Sequence, residues 1–143
     1  MSEDRRPFRV MLLLQMFSTV VVCGFAVGWP GPWTRVRWLG LVLVAVGMLL
    51  VLAARVQLGT SFSITPQARR LVTHGIYSKV RNPIYVFGSV AIAGFLLIIR
   101  VRWAWILWVA LVLMQVVRAH REAAVLEAKF EDEYRQYRRK TWF

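Results

Sequence analysis

The sequence predicts an all-α polytopic membrane protein: four transmembrane helices, a cytoplasmic loop and an amphipathic C-terminal helix. Three observations predict it. The 143 residues are 58% hydrophobic and only 18% charged, with mean hydropathy +0.52. That is too apolar for a disordered chain or an ordinary soluble domain. The seven carboxylates sit at the two ends: Glu3 and Asp4, then Glu122, Glu127, Glu131, Asp132 and Glu133. A soluble surface rarely does without acids over so long a stretch. Finally, the uncharged stretches are long enough to cross a bilayer core, which takes roughly 20 apolar residues.

The elements follow in order. Val10–Thr34 is uncharged over 25 residues. Its first span covers about 10–28 and ends at Trp29-Pro30-Gly31-Pro32, with Trp29, Trp33 and Trp38 as interfacial anchors. The run is too long for a signal-peptide core, and no small-x-small cleavage site follows it. Gly24-x-x-x-Gly28 matches a span-packing pattern and implies close helix contact there. Trp38–Ala54 gives 17 uncharged residues and a second span at about 38–55. Arg55–Arg81 is the one sizeable loop. Asn82–Ile99 (18 residues) and Trp103–Val117 (15 residues) give spans at about 83–99 and 103–118. They form a tight hairpin whose Arg100 and Arg102 snorkel to the far interface. Beyond it, Arg118, Glu122, Leu126, Phe130, Tyr134 and Tyr137 recur every three or four residues, predicting a helix over about 119–138. The length fits one membrane-embedded domain, 1–143.

Charge sets the orientation. With both termini on one side, that side holds 15 of the 19 Lys and Arg residues and the other holds Arg35, Arg37, Arg100 and Arg102. The positive-inside rule then makes the termini and the middle loop cytoplasmic. The net charge of +12 is read as this topological signal and not as a nucleic-acid footprint.

Several chemistries are excluded or unsupported. The acid-free middle has no paired carboxylates for hydrolysis and no acids for calcium or two-metal sites. Cys23 stands alone, so there is no intramolecular disulfide and no cysteine-based zinc site. It reads as a small hydrophobe. His74 and His120 lack partners at ligand spacing, so no metal is expected. No Ser-His-Asp set, P-loop or GxGxxG is present.

Polar chemistry is left to two clusters, Leu71–Tyr85 and Arg118–Tyr137, both beside the hairpin. Each feature has an ordinary structural explanation. Asn82-Pro83 suits a helix N-cap followed by its first residue, Gly75 suits a turn, and Tyr77 and Tyr85 suit an interface. Arg118 and Glu122, four apart, suit a surface ion pair. Against this, Glu122 is the first carboxylate after the spans, at the membrane boundary, where a charge wants a partner or a ligand.

Together the two clusters resemble the isoprenylcysteine carboxyl methyltransferase family and its relatives, the phospholipid methyltransferases. That family carries LVT-x-G-x-Y, then R-H-P-x-Y, then R-x-x-x-E and L-x-x-x-F-x-x-E-Y-x-x-Y. Here these stand as Leu71-Val72-Thr73, Gly75 and Tyr77; Arg81-Asn82-Pro83-x-Tyr85; Arg118 and Glu122; and Leu126, Phe130, Glu133-Tyr134 and Tyr137. The agreement covers roughly the last 90 residues. The resemblance implies a membrane-embedded, S-adenosylmethionine-dependent methyltransferase. Its cofactor residues would be Gln67, Leu71, Val72, His74, Gly75, Tyr77, Asn82, Pro83, Ile84, Tyr85 and Glu122. Arg118 and Glu122 would be catalytic, with Arg118 orienting the acceptor. The acceptor would be a lipid or lipidated molecule: an isoprenylated cysteine carboxylate first, a phospholipid amine as the alternative. Asn82 replaces the family's familiar His; it can donate and accept hydrogen bonds but cannot carry a proton near neutral pH. Many relatives also run on past the position of Phe143 through a proline-containing tail. The reading from a different class is a small non-catalytic membrane protein whose basic loops bind anionic lipid or a partner.

Overall fold

A computed structural model describes residues 6–59 and 71–143. Gln67 and the neighbouring loop positions lie outside the described residues. Among the described residues four α-helices follow in order: α1 (Arg6–Gly28), α2 (Arg35–Leu58), α3 (Pro83–Ile99) and α4 (Ala104–Lys140), with a short 3-10 turn at Gly75–Ser78 before α3. Three helices, α1, α2 and α4, are long and apolar enough to cross a membrane; α3, at 17 residues, is the shorter apolar one.

Local signals account for the helix ends. Thr34 caps α2 by accepting the Arg37 amide. Pro83 opens α3, where a missing N–H costs nothing. Arg100 closes α3 in the left-handed region at φ 56°, its amide bonded to Leu96 O at 2.9 Å.

Two expectations are corrected. The fourth span and the C-terminal helix are one continuous helix, α4, with no boundary near residue 118. Ala-, Leu- and Glu-rich sequence propagates helix equally well in lipid and in water. The interruption comes later, at Glu131, whose φ of 42° and ψ of −114° are non-helical. The unbroken stretch, residues 104–130, gives about 40 Å of helix, beyond a bilayer core of about 30 Å.

The second correction concerns close packing. An added Cβ at Gly24 or Gly28 would meet nothing within 4 Å. The close seam is between α2 and α3. The buried α2 positions Arg37, Gly40, Val44, Gly47, Val51 and Ala54 alternate at spacings of three and four. Of these, Gly40, Val44 and Gly47 face Ala91, Gly94 and Ile98 of α3. A Cβ on Gly40 would stand 2.6 Å from Gly94 O, and one on Gly94 would stand 2.6 Å from Gly40 O. Lipid tails are as apolar as leucine, so the drive for this seam is the close fit of two backbones.

Val44 meets Ala26 of α1 and Ile98 of α3 in a buried cluster that also takes in Cys23, in keeping with its reading as a small hydrophobe. Large apolar side chains such as Leu13, Phe17, Ile106 and Leu113 stay exposed, as a lipid-facing surface requires. At the α1–α2 turn Arg37 is only 4% exposed and bonds to backbone carbonyls of that turn.

Candidate active site

The end of the bundle opposite the Arg37 turn gathers the segment 71–82, the start of α3 and the last turns of α4. The loop is anchored first. Ala54 of α2 packs on Val72 and Tyr77, with Ile76 and Ile84 beside them. Gln57, near the end of α2, accepts the Ile76 amide at 2.7 Å. Gly75 sits against the Gln57 amide at φ 60°, where a Cβ would overlap that side chain. Gly75 therefore fills the turn role that its sequence position also suggested. Gln57 was missed; its signal was a lone polar residue just past an apolar span.

The end of α4 closes over this loop. Tyr137 donates its hydroxyl to Tyr77 O at 2.7 Å. Val80 and Trp142 form an isolated parallel bridge, and the Trp142 amide bonds Lys79 O at 3.0 Å. The Arg81 and Asn82 amides donate to Phe143 O at 2.9 and 3.0 Å. Burial pushes the Tyr77 phenol well above its ordinary range, with Tyr137 adding to the effect. Burial and then Tyr134 push Tyr137 up to about 12, against the opposing charge of Arg81. Both hydroxyls are held neutral.

The centre is a three-residue cluster. Tyr85, in the first turn of α3, donates its hydroxyl to Glu122 Oε1 at 2.7 Å. Arg118 Nε donates to the same oxygen at 3.1 Å. The Arg118 guanidinium carbon lies 5.9 Å from the centre of the Tyr85 ring. Both bonds fall on Oε1, so Oε2 lies outside them. The side chains of Arg118 and Glu122 are 51% and 29% exposed, so the cluster opens outward.

The remaining expected site residues are distributed around it. Asn82 occupies the α3 N-cap position, but its side chain makes no capping bond; its carbonyl accepts the Tyr85 and Val86 amides. Pro83 is fully buried. Val72 and Ile84 belong to the loop anchor, with Leu71 half-buried next to it. His74 is exposed ahead of the 3-10 turn. His120 is exposed with Nδ1 2.8 Å from Val116 O. Among the described residues no three His, Cys, Asp or Glu side chains gather to hold a metal. Thus Tyr85, Arg118 and Glu122 converge, and Asn82 stands one turn away. Val72, Tyr77 and Ile84 pack together in the loop anchor, and Gly75 lies against Gln57.

An apolar helical bundle with a polar cluster at one end fits the class of integral membrane proteins. The match to known families is more specific. The model for phospholipid methyltransferase covers residues 35–133, more than half of the chain, and the chain belongs to that family. It is an integral membrane protein of the methyltransferase type, acting on lipid. The match takes in α2, which the motif resemblance did not reach, and contains Tyr85, Arg118 and Glu122. It supports the relatives named by the motifs without reaching the isoprenylcysteine carboxyl branch. Curated proteins and solved structures give no match.

Proposed function

We propose that this protein transfers a methyl group from S-adenosylmethionine to the headgroup of a membrane lipid, at the cluster formed by Tyr85, Arg118 and Glu122. The observation that carries the reading is the convergence of two distant motifs. The tyrosine of R-N-P-x-Y and the glutamate of R-x-x-x-E share a 2.7 Å hydrogen bond across 37 positions of sequence.

The residues present suit the cofactor. Glu122 keeps one carboxylate oxygen outside its internal bonds, suited to an ammonium or to sugar hydroxyls. The Asn82 amide is not spent on capping α3, and the exposed His74 adds a third polar group. S-adenosylmethionine, when bound, supplies a methyl group on a cationic sulfur. The Tyr85 ring offers a π face to a cation. Arg118 offers a planar fork for a phosphate or carboxylate. The chain's own work is alignment and exclusion of water, which this transfer needs more than acid or base. Asn82 fits such a scheme, since it holds a ligand without moving a proton.

The family supports a phospholipid acceptor; we take it to be an aminophospholipid, whose phosphate Arg118 would grip. A carboxylate acceptor, as in isoprenylcysteine methylation, is the second reading, favoured by the order of LVT-x-G-x-Y and R-x-P-x-Y. The whole chain, 1–143, acts as one membrane-embedded unit with both termini and the site cytoplasmic. The fifteen-to-four charge count supports this. A cysteine introduced beside Arg35 should be labelled from outside sealed cells; protection there overturns the topology.

Calorimetry tests the site. Wild type should bind S-adenosylmethionine saturably. Tyr85→Ala and Glu122→Ala should each weaken binding roughly tenfold or more, about 1.4 kcal/mol. No saturable binding by wild type would favour a non-catalytic lipid-binding protein; unchanged affinity in both variants would move the pocket elsewhere.

A further inference from the structure

The contact between α3 and α4 holds a second set of polar groups that the cluster above does not use. Ser89 Oγ donates to Gln115 Oε1 at 2.7 Å, and Trp108 Nε1 donates to Ser89 O at 2.9 Å. Ser89 lies one turn past Tyr85 on α3, and Gln115 lies two turns before Glu122 on α4. The two facing stripes therefore continue from the site toward the bilayer centre, about 6 Å on one helix and about 10 Å on the other. In hydrocarbon a polar side chain is costly, and it commonly marks a substrate path.

Two features separate this set from simple helix glue. A glutamine amide has an acceptor oxygen and two N–H donors. Ser89 takes the oxygen, and the donors have no hydrogen-bond partner among the described residues. Beside them stands Gly88, where an added Cβ would meet nothing within 4 Å. The glycines of the α2–α3 seam are explained by touching backbones; this one is not. A mid-helix glycine costs about 1 kcal/mol relative to alanine. Gly88 lies on the same arc of α3 as Tyr85 and Ser89, and Ile92, one turn further on, is 38% exposed. Space is thus open at Gly88, on the arc of α3 that also carries Tyr85 and Ser89.

We propose that Gly88, Ser89 and Gln115 form a subsite for the ester linkage of a glycerolipid acceptor. A lipid ester carbonyl accepts from the Gln115 amide, Ser89 holds that amide in place, and the acyl stem lies over Gly88. The headgroup is thereby set at Tyr85, Arg118 and Glu122. This rests on the methyltransferase reading and deepens it by naming the residues that hold the lipid's ester linkage.

The test uses the full chain in maltoside micelles with dioleoyl phosphatidylethanolamine or its dialkyl ether analogue. Lipid retention is read by native mass spectrometry and methyl transfer by labelled S-adenosylmethionine. Wild type should retain the diester roughly tenfold better than the diether. Gln115→Leu and Gly88→Leu should abolish the preference, and Ser89→Ala should weaken it. In the first two variants KM for the diester should rise roughly tenfold with cofactor affinity unchanged. Gly88→Leu enters open space, so its melting temperature should hold even if Gln115→Leu loosens the helix pair. Equal retention of both lipids by wild type, or an unchanged preference in Gly88→Leu, overturns the subsite. Ester-selective retention without methyl transfer keeps the subsite and overturns the enzymatic reading; methyl transfer without ester selectivity does the reverse.

Discussion

Arg37 and Arg118 sit at opposite ends of the bundle, and the fold treats them in opposite ways. The Arg37 guanidinium donates to Gly31 O at 2.6 Å, to Val27 O at 3.0 Å and to Trp29 O, and lies 4.1 Å from the centre of the Trp33 ring. Its hydrogen-bond partners are carbonyls near the C-terminal end of α1, the negative end of a helix dipole. Arg118 is half exposed and shares one carboxylate oxygen with a tyrosine from another helix. The first arginine is absorbed by the backbone it closes. The second stands in a polar cluster that opens outward. Burial together with the identity of the partner, rather than charge, separates the arginine that closes the turn from the one for which a ligand role is proposed.

The sharpest way to break this contrast is at Arg37. Arg37→Ala leaves several carbonyls at the α1 terminus unpaired and should cost on the order of 4 kcal/mol, read by unfolding of purified protein. Arg37→Lys should recover less than half, because one ammonium does not reach the same set of acceptors. Arg118→Ala should do the reverse. Its stability should change by less than about 1 kcal/mol, while methyl transfer falls by about a hundredfold, on the order of 3 kcal/mol in the barrier. Arg118→Lys should rescue partly, lacking the fork. If Arg118→Ala unfolds the protein as Arg37→Ala does, or leaves turnover intact, the contrast is lost. The smallest effect belongs to the strap over the loop. Tyr137→Phe removes one buried hydrogen bond and should cost about 1 kcal/mol. The folded pKa of Tyr137, about 12, lies above the unfolded value near 10. Its contribution is therefore intact below pH 10 and lost as pH rises from 10 to 12. Melting temperatures across that range should fall more steeply in wild type than in Tyr137→Phe.

Much of this arrangement was legible in the sequence. The third uncharged run, Asn82–Ile99, coincides with α3 because a proline fixes its start and an arginine its end. Tyr85 and Glu122 were both named from their motifs, and their hydrogen bond joins them. What was not legible depends on partners that sequence does not display. Gly24 and Gly28 match a packing pattern, yet Gly40 and Gly94 are the pair that touches, since a glycine's use is set by the helix opposite it. Counting Arg37 only by its side of the membrane says nothing of its burial, which needs the turn in three dimensions. Ending the last span at residue 118 followed charge, whereas the backbone continued on helix propensity. The break at Glu131 has no glycine or proline to announce it.

The shortness of α3 has a further consequence. Seventeen residues rise about 25 Å, less than a typical hydrocarbon core of about 30 Å. A helix that falls short makes the bilayer thin around it. Tyr85, in its first turn, therefore rides at a depth set by the local thickness of the membrane. Thin bilayers bring the cluster level with the headgroups, and thick ones submerge it and pucker the leaflet toward it. If the proposed site holds the headgroup, membrane thickness would then set how easily it reaches Arg118 and Glu122, through acyl chain length without any ligand binding.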